Sequence, residues 1–191
     1  MGKNRLDSPG ASVNLRHCLP DAATKTFLRE QPPLQLDLTM ERADVVARLE
    51  SLRETNELAA LAFYAYRDLN RTEPEPFLLA ALERSPVSIA AMSALDDDGV
   101  VAAVTALAAE SIYDGPGRLA QPDEVWNYRR GDGVEKALLL ANVLRARHPG
   151  LGLTVDVTPD SATLHVDTRT YSFASVKNLA VQTWDCGERR E

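Results

Sequence analysis

Two cysteines, three histidines and an aromatic share of only 6% leave this chain of 191 residues short of the side chains that build metal sites and thiol chemistry. Cys18 and Cys186 lie near opposite ends, and His17, His148 and His165 are scattered. Neither a structural zinc site nor a disulfide framework is expected, and no metal or other cofactor is. Both thiols should be free. Neither should be a catalytic nucleophile, because neither stands where a helix dipole or a basic partner would lower its pKa. Long hydrophobic runs are missing too. The most apolar stretch, 100–109, is half alanine and far short of the roughly 20 residues that a membrane-spanning helix needs. The first residues, MGKNRLDSPGAS, hold basic side chains but no apolar signal region, and Leu6 stands where a myristoylation motif wants Ser or Thr. The expectation is a cytoplasmic protein without membrane association. Positive charge is scarce as well: 21 Lys and Arg against 28 Asp and Glu give a net charge of -7. A field of that sign repels phosphate backbones, so no nucleic-acid partner is expected.

What is present suits a globular core, with 45% hydrophobic and 26% charged residues. Residues 1–36 mix Gly, Ser, Pro and charge without a period and read as an extended or loosely ordered arm, with a short helix over 21–30 stopped by Pro32 and Pro33. Residues 37–115 read as a helical region, 116–191 as a helix-and-sheet core, and 37–191 together as one compact domain. In the helical part Val45, Leu49 and Leu52 recur at helical spacing. Thr55-Asn56 caps a second helix, with Leu58, Leu61, Ala62, Ala65 and Leu69 on one face. Pro74 and Pro76 open a third, and Ser85-Pro86 is a cap followed by N1 of a fourth. Asp96-Asp97-Asp98-Gly99 lacks the alternating carboxylates of a calcium loop and reads as a capping turn. An alanine-rich helix should run over 100–111, up to the stop at Asp114-Gly115-Pro116-Gly117.

A short helix beginning at Pro122 carries Val125 and Trp126 and ends at Arg129-Arg130-Gly131. Asp132 is then a good N-cap, with Glu135 three residues on, as in a capping box. Ala137, Leu140, Ala141 and Leu144 form a buried stripe, and His148-Pro149-Gly150 ends the helix. Leu153, Val155 and Val157 alternate with polar residues, as do Ala162, Leu164 and Val166. Further strands are expected over 170–174 and 179–184. The order is helix, then antiparallel strands, and the expected class is α+β.

Arg130, then Gly131-Asp132, then an Ala-Leu-Leu-rich helix ending in Leu144-Arg145 resembles the active-site segment of transglutaminase-like proteins over about twenty residues. In that family a cysteine follows the Gly-Asp pair. At a helix N-terminus it sees free N–H groups and the positive end of the dipole, which favour the thiolate. Here Gly133 occupies that position. The resemblance implies a helix packed on an antiparallel sheet, a histidine base on a following strand and an acid to orient it. His165 is the candidate base. Asp185, after Trp184, is the candidate acid, with Asp167 the alternative. Without a sulfur the expected function is that of a catalytically inactive module. It would bind a protein segment, a peptide or a small ligand in a vestigial cleft formed by Trp126, Arg130, Asp132, Gly133 and His165, where helix N–H groups can meet a carboxylate or carbonyl. Two other readings stay open: an enzyme using His165 with Asp132 or Asp185 in non-thiol acid–base chemistry, and a structural or assembly subunit. The oligomeric state is not legible.

Overall fold

The computed structural model of the chain describes residues 33–187; most of the N-terminal arm, the 21–30 helix and Cys18 lie outside them. Helices α1 (Arg42–Leu52), α2 (Glu57–Tyr66), α3 (Glu75–Glu83), α4 (Pro86–Ala91), α5 (Asp97–Thr105), α6 (Pro122–Tyr128) and α7 (Gly133–Arg147) precede strands β1 (Leu153–Val157), β2 (Ser161–Val166), β3 (Arg169–Ala174) and β4 (Gln182–Asp185). The strands form one antiparallel sheet in the order β3-β2-β1-β4. The class is α+β, as the change from a 3.6-residue to a two-residue period implies.

Alternation fixes which face of the sheet is covered. Leu153, Val155, Val157, Ala162, Leu164 and Trp184 are all at most 2% exposed and face α7, whereas Thr154, Asp156, Thr163 and His165 lie on the other face. Helices α3, α4, α5 and α6 pack on the remaining sides of α7. It is therefore buried all round from Gly133 to Leu144 rather than along the one stripe the sequence marks. Burying Leu138, Leu139 and Leu140 alone contributes about 1.5–3 kcal/mol each.

Side-chain caps mark where three of the seven described helices start. The Asn56 side chain accepts from the Ala59 N–H (3.2 Å), and Asp96 from that of Gly99 (2.8 Å). The aspartate triplet is thus a capping turn, and Asp97 pairs with Arg147 and His148 at the far end of α7.

Four local expectations are corrected. The α2 face expected from Leu58 and Leu61 is exposed by 42% and 43%, and Ala59 and Phe63 are buried instead. None of Val45, Leu49 and Leu52 is fully buried on α1. The alanine-rich helix stops at Thr105 instead of 111, because tertiary partners take over its backbone. Lys136 Nζ donates to the Leu107 carbonyl (2.5 Å). Ala108 exchanges hydrogen bonds with Arg129 and Gly131. The last strand likewise begins at Gln182 rather than 179, since Leu179 is drawn into the core from a loop.

Candidate functional site

The segment that carries the resemblance forms the first turn of α7. Asp132 is 1% exposed. Its Oδ1 accepts from the Val134 N–H (3.0 Å) and the Ser175 hydroxyl (2.7 Å), and its Oδ2 from the Val176 N–H (2.8 Å). Glu135, fully buried, closes the capping box from the N3 position: Oε2 accepts from the Asp132 N–H (2.8 Å), and Oε1 from the Ser111 hydroxyl (2.6 Å) and the Ala120 N–H (2.7 Å). Burial pushes the Glu135 carboxyl above its ordinary value, against the pull of these hydrogen bonds and of Lys177. Lys177 is 2% exposed and donates to the Tyr113 carbonyl (2.7 Å). Burial lowers its pKa, against the attraction of Glu135, Asp132 and Asp114. The web ties α7 to the loop before α6 and to the chain leaving β3.

Gly133 sits inside this web. A Cβ placed on it would lie 2.2 Å from the Ala174 carbonyl oxygen, 2.7 Å from the Ala174 carbonyl carbon and 2.8 Å from the Phe173 oxygen. The pocket expected where a sulfur is missing is therefore filled by main chain. Asp132 is the physical reason: by binding Ser175 and Val176 it draws the end of β3 across the helix N-terminus. Glycine is required here for close approach of two backbones.

The remaining residues of the expected cleft do not converge on Gly133. His165 lies on the sheet face turned away from α7, where its Nε2 meets Asp156 Oδ2 (2.8 Å). Asp156 also accepts from the Thr183 hydroxyl (2.6 Å). That bond and His165 hold its carboxyl below its ordinary range. Thr154 stands opposite both His165 and Asp185 in the ladder, so Asp185 is two strands, roughly 10 Å, from the histidine. Asp156 takes the partner role that the sequence assigns to Asp185. Asp185 accepts instead from the Gly187 N–H (2.9 Å). Asp167 occupies the β2–β3 turn with a φ of 48°. Trp126 is half-buried beneath the Arg129 guanidinium, 3.7 Å from its ring, and Arg130 is exposed beside Glu110 at 3.5 Å. Cys186 is fully buried and its thiol is pushed up to about 12, which suits the expectation of an inert residue. Among the described residues no group of three or more His, Cys, Asp and Glu side chains is placed to hold a metal ion.

Two features were not anticipated. Arg118 is sandwiched between Tyr66 (4.3 Å) and Tyr113 (3.9 Å), and Tyr113 reaches Glu124 (2.9 Å), which also pairs with Arg67. Nothing in the spacing of these residues signals the stack. The second is a groove of about 360 Å³ between α3, the C-terminal turn of α7 and the edge strand β4. Trp184 and Asp185 line it, and Arg145 enters it from α7. The sequence pattern includes all three, but only Asp185 as a site residue, and that for a site at the opposite end of the helix. Comparison with protein-family models, with curated proteins and with solved structures gives no match to this chain.

Proposed function

We propose that this chain is a catalytically inactive, transglutaminase-like module that works by binding, and that its binding surface is not the N-terminus of α7. The observation that carries the reading is the 2.2 Å approach of the Ala174 carbonyl to the place of a Gly133 side chain. A nucleophile there has no room, and the nearest groups are peptide carbonyls, which supply neither an acid nor a base. The buried carboxylates Asp132 and Glu135 are spent on main-chain N–H groups and hydroxyls. An enzyme built on His165 and Asp156 draws less support. That pair lies on an open sheet face, with the Asp156 side chain about half exposed, and a general acid–base pair gains its strength where water is excluded.

The test is to install the missing sulfur. In Gly133→Cys the new thiol should be alkylated no faster than an ordinary buried cysteine at every pH, read site by site by mass spectrometry, and the variant should lose stability. A thiol that reacts rapidly near neutral pH, with a depressed pKa that rises on adding His165→Ala, would overturn the proposal. So would acyl transfer or hydrolysis of a peptide amide by the unmodified chain.

A further inference from the structure

We propose that the groove between α3, the end of α7 and β4 binds a small apolar α-amino acid, its carboxylate held by Arg145 and Trp184. The clearest sign is polar groups without partners. Trp184 is 2% exposed and its indole N–H is buried without an acceptor. The Nε–H of Arg145 is buried in the same condition. Its Nη1 donates to the Leu82 carbonyl (3.1 Å). Buried donors are nearly always paired in folded proteins, and an orphan costs free energy that a bound acceptor recovers. Of the four buried side-chain polar atoms without a partner among the described residues, two belong to residues that line this one groove.

The lining chooses the ligand. One guanidinium and one indole N–H together offer donors to a carboxylate, with the charge assistance that arginine gives. Leu79 and Leu82 are half-buried along the α3 wall and present apolar surface to a side chain. Glu83 and Asp185 are exposed at the rim. Their negative charge disfavours a purely anionic ligand such as phosphate, and it suits an ammonium group next to the carboxylate. Cation within, acids at the mouth and an aliphatic wall together match a zwitterion with an apolar side chain. The volume of about 360 Å³ falls within the range of small-molecule sites and holds a residue of leucine size. Asp185, the acid that the resemblance assigned to a triad, thus acquires a place in recognition.

The site rests on the non-catalytic reading of the chain, and the experiment separates the two. L-leucine is titrated into the whole protein, labelled with nitrogen-15. The chain holds two tryptophans, Trp126 and Trp184, so two indole N–H signals report, assigned by Trp184→Phe. The Trp184 signal should move and saturate below about 10 mM leucine, while that of Trp126 stays in place. L-leucinamide, which lacks the carboxylate, and 4-methylpentanoate, which lacks the amine, should each bind about tenfold more weakly or worse. Arg145→Met should weaken leucine binding at least as much while the rest of the spectrum stays folded. A Trp184 signal that does not move, that moves equally in Arg145→Met, or that responds as well to either analogue would overturn the assignment. Each of those outcomes leaves the non-catalytic reading to the thiol experiment. Conversion of the added leucine to a new product would sink that reading while the site stands.

Discussion

At its first turn α7 buries two carboxylates, Asp132 and Glu135, whose oxygens accept six hydrogen bonds from four backbone N–H groups and two hydroxyls. At its last turn the same helix extends Arg145, whose Nε–H finds no acceptor, toward a buried tryptophan in the same state. The two ends carry comparable polar chemistry and have opposite use for it. Where every oxygen has a partner, the residues are committed to holding chain segments together. Where donors are left over beside a cavity, the fold has retained capacity for something that is not part of it. Conspicuousness in the sequence points to the first end; incomplete hydrogen bonding points to the second.

The strongest way to break this contrast is Gly133→Ala. One methyl group directed at the Ala174 carbonyl meets backbone, which cannot rotate aside as a side chain would. The substitution should cost about 3 kcal/mol or more, measured by urea denaturation. A cost below about 1 kcal/mol would mean that the end of β3 moves freely and that the helix N-terminus can open into a cleft. Asp132→Ala comes next, at about 2–3 kcal/mol. It removes the N-cap and leaves the Ser175 hydroxyl and the Val176 N–H without their acceptor.

The glutamates at N3 of α6 and α7 sharpen the contrast through pH. Burial raises the Glu124 carboxyl, but Arg67, the Gln121 N–H and Tyr113 outweigh it and leave the pKa below its ordinary 4.5. Glu135, buried more deeply, stays above 4.5. A depressed carboxyl contributes stability that is present above the unfolded pKa and lost as pH falls through the folded one. A raised carboxyl contributes stability that is present below the unfolded pKa and lost as pH rises through the folded one. Glu124→Gln should therefore flatten the acid limb of stability against pH, below about 4.5. Glu135→Gln should flatten the limb just above it. Each change is on the order of 1 kcal/mol, and denaturant midpoints across pH 3–7 read both, that window being set by the ~4.5 reference. Equal slopes in both variants would mean that the two capping boxes share one environment.

Much of this was legible in the residues. The caps at Thr55-Asn56, in the Asp96-Asp97-Asp98-Gly99 turn and at Asp132, the helix starts at Pro74 and Pro86, and the period-two stretch 153–157 act within a few positions of themselves, so a local reading finds them. The paired Asp132 and Glu135 were found as a capping box for the same reason. The collapse of 106–111 out of its helix was not, because its cause, Lys136, lies far along the chain. The burial of Gly133 under Ala174 and the partnership of His165 with Asp156 depend on where β3 and β1 come to rest, and no spacing encodes that. The groove was missed for a related reason. Arg145 and Trp184 each belong to the pattern of the resemblance, but not to its site, and a donor without an acceptor is visible only once everything around it has a position.

The smallest effect belongs to Arg145 in the absence of ligand. Arg145→Met keeps most of the aliphatic stem against α3 and removes a buried Nε–H that has no partner, along with one hydrogen bond to the Leu82 carbonyl. Relief of the orphaned donor offsets the lost bond, so stability should change by less than about 1 kcal/mol in either direction. Asp132→Ala, at the other end of the helix, should cost at least twice that. If Arg145→Met instead destabilised as strongly, the arginine would be a structural strut like Asp132, both ends of α7 would serve the fold alone, and the groove would lose its claim to a ligand. Comparing the two denaturation curves measures how differently one helix uses a charged side chain at its first turn and one at its last.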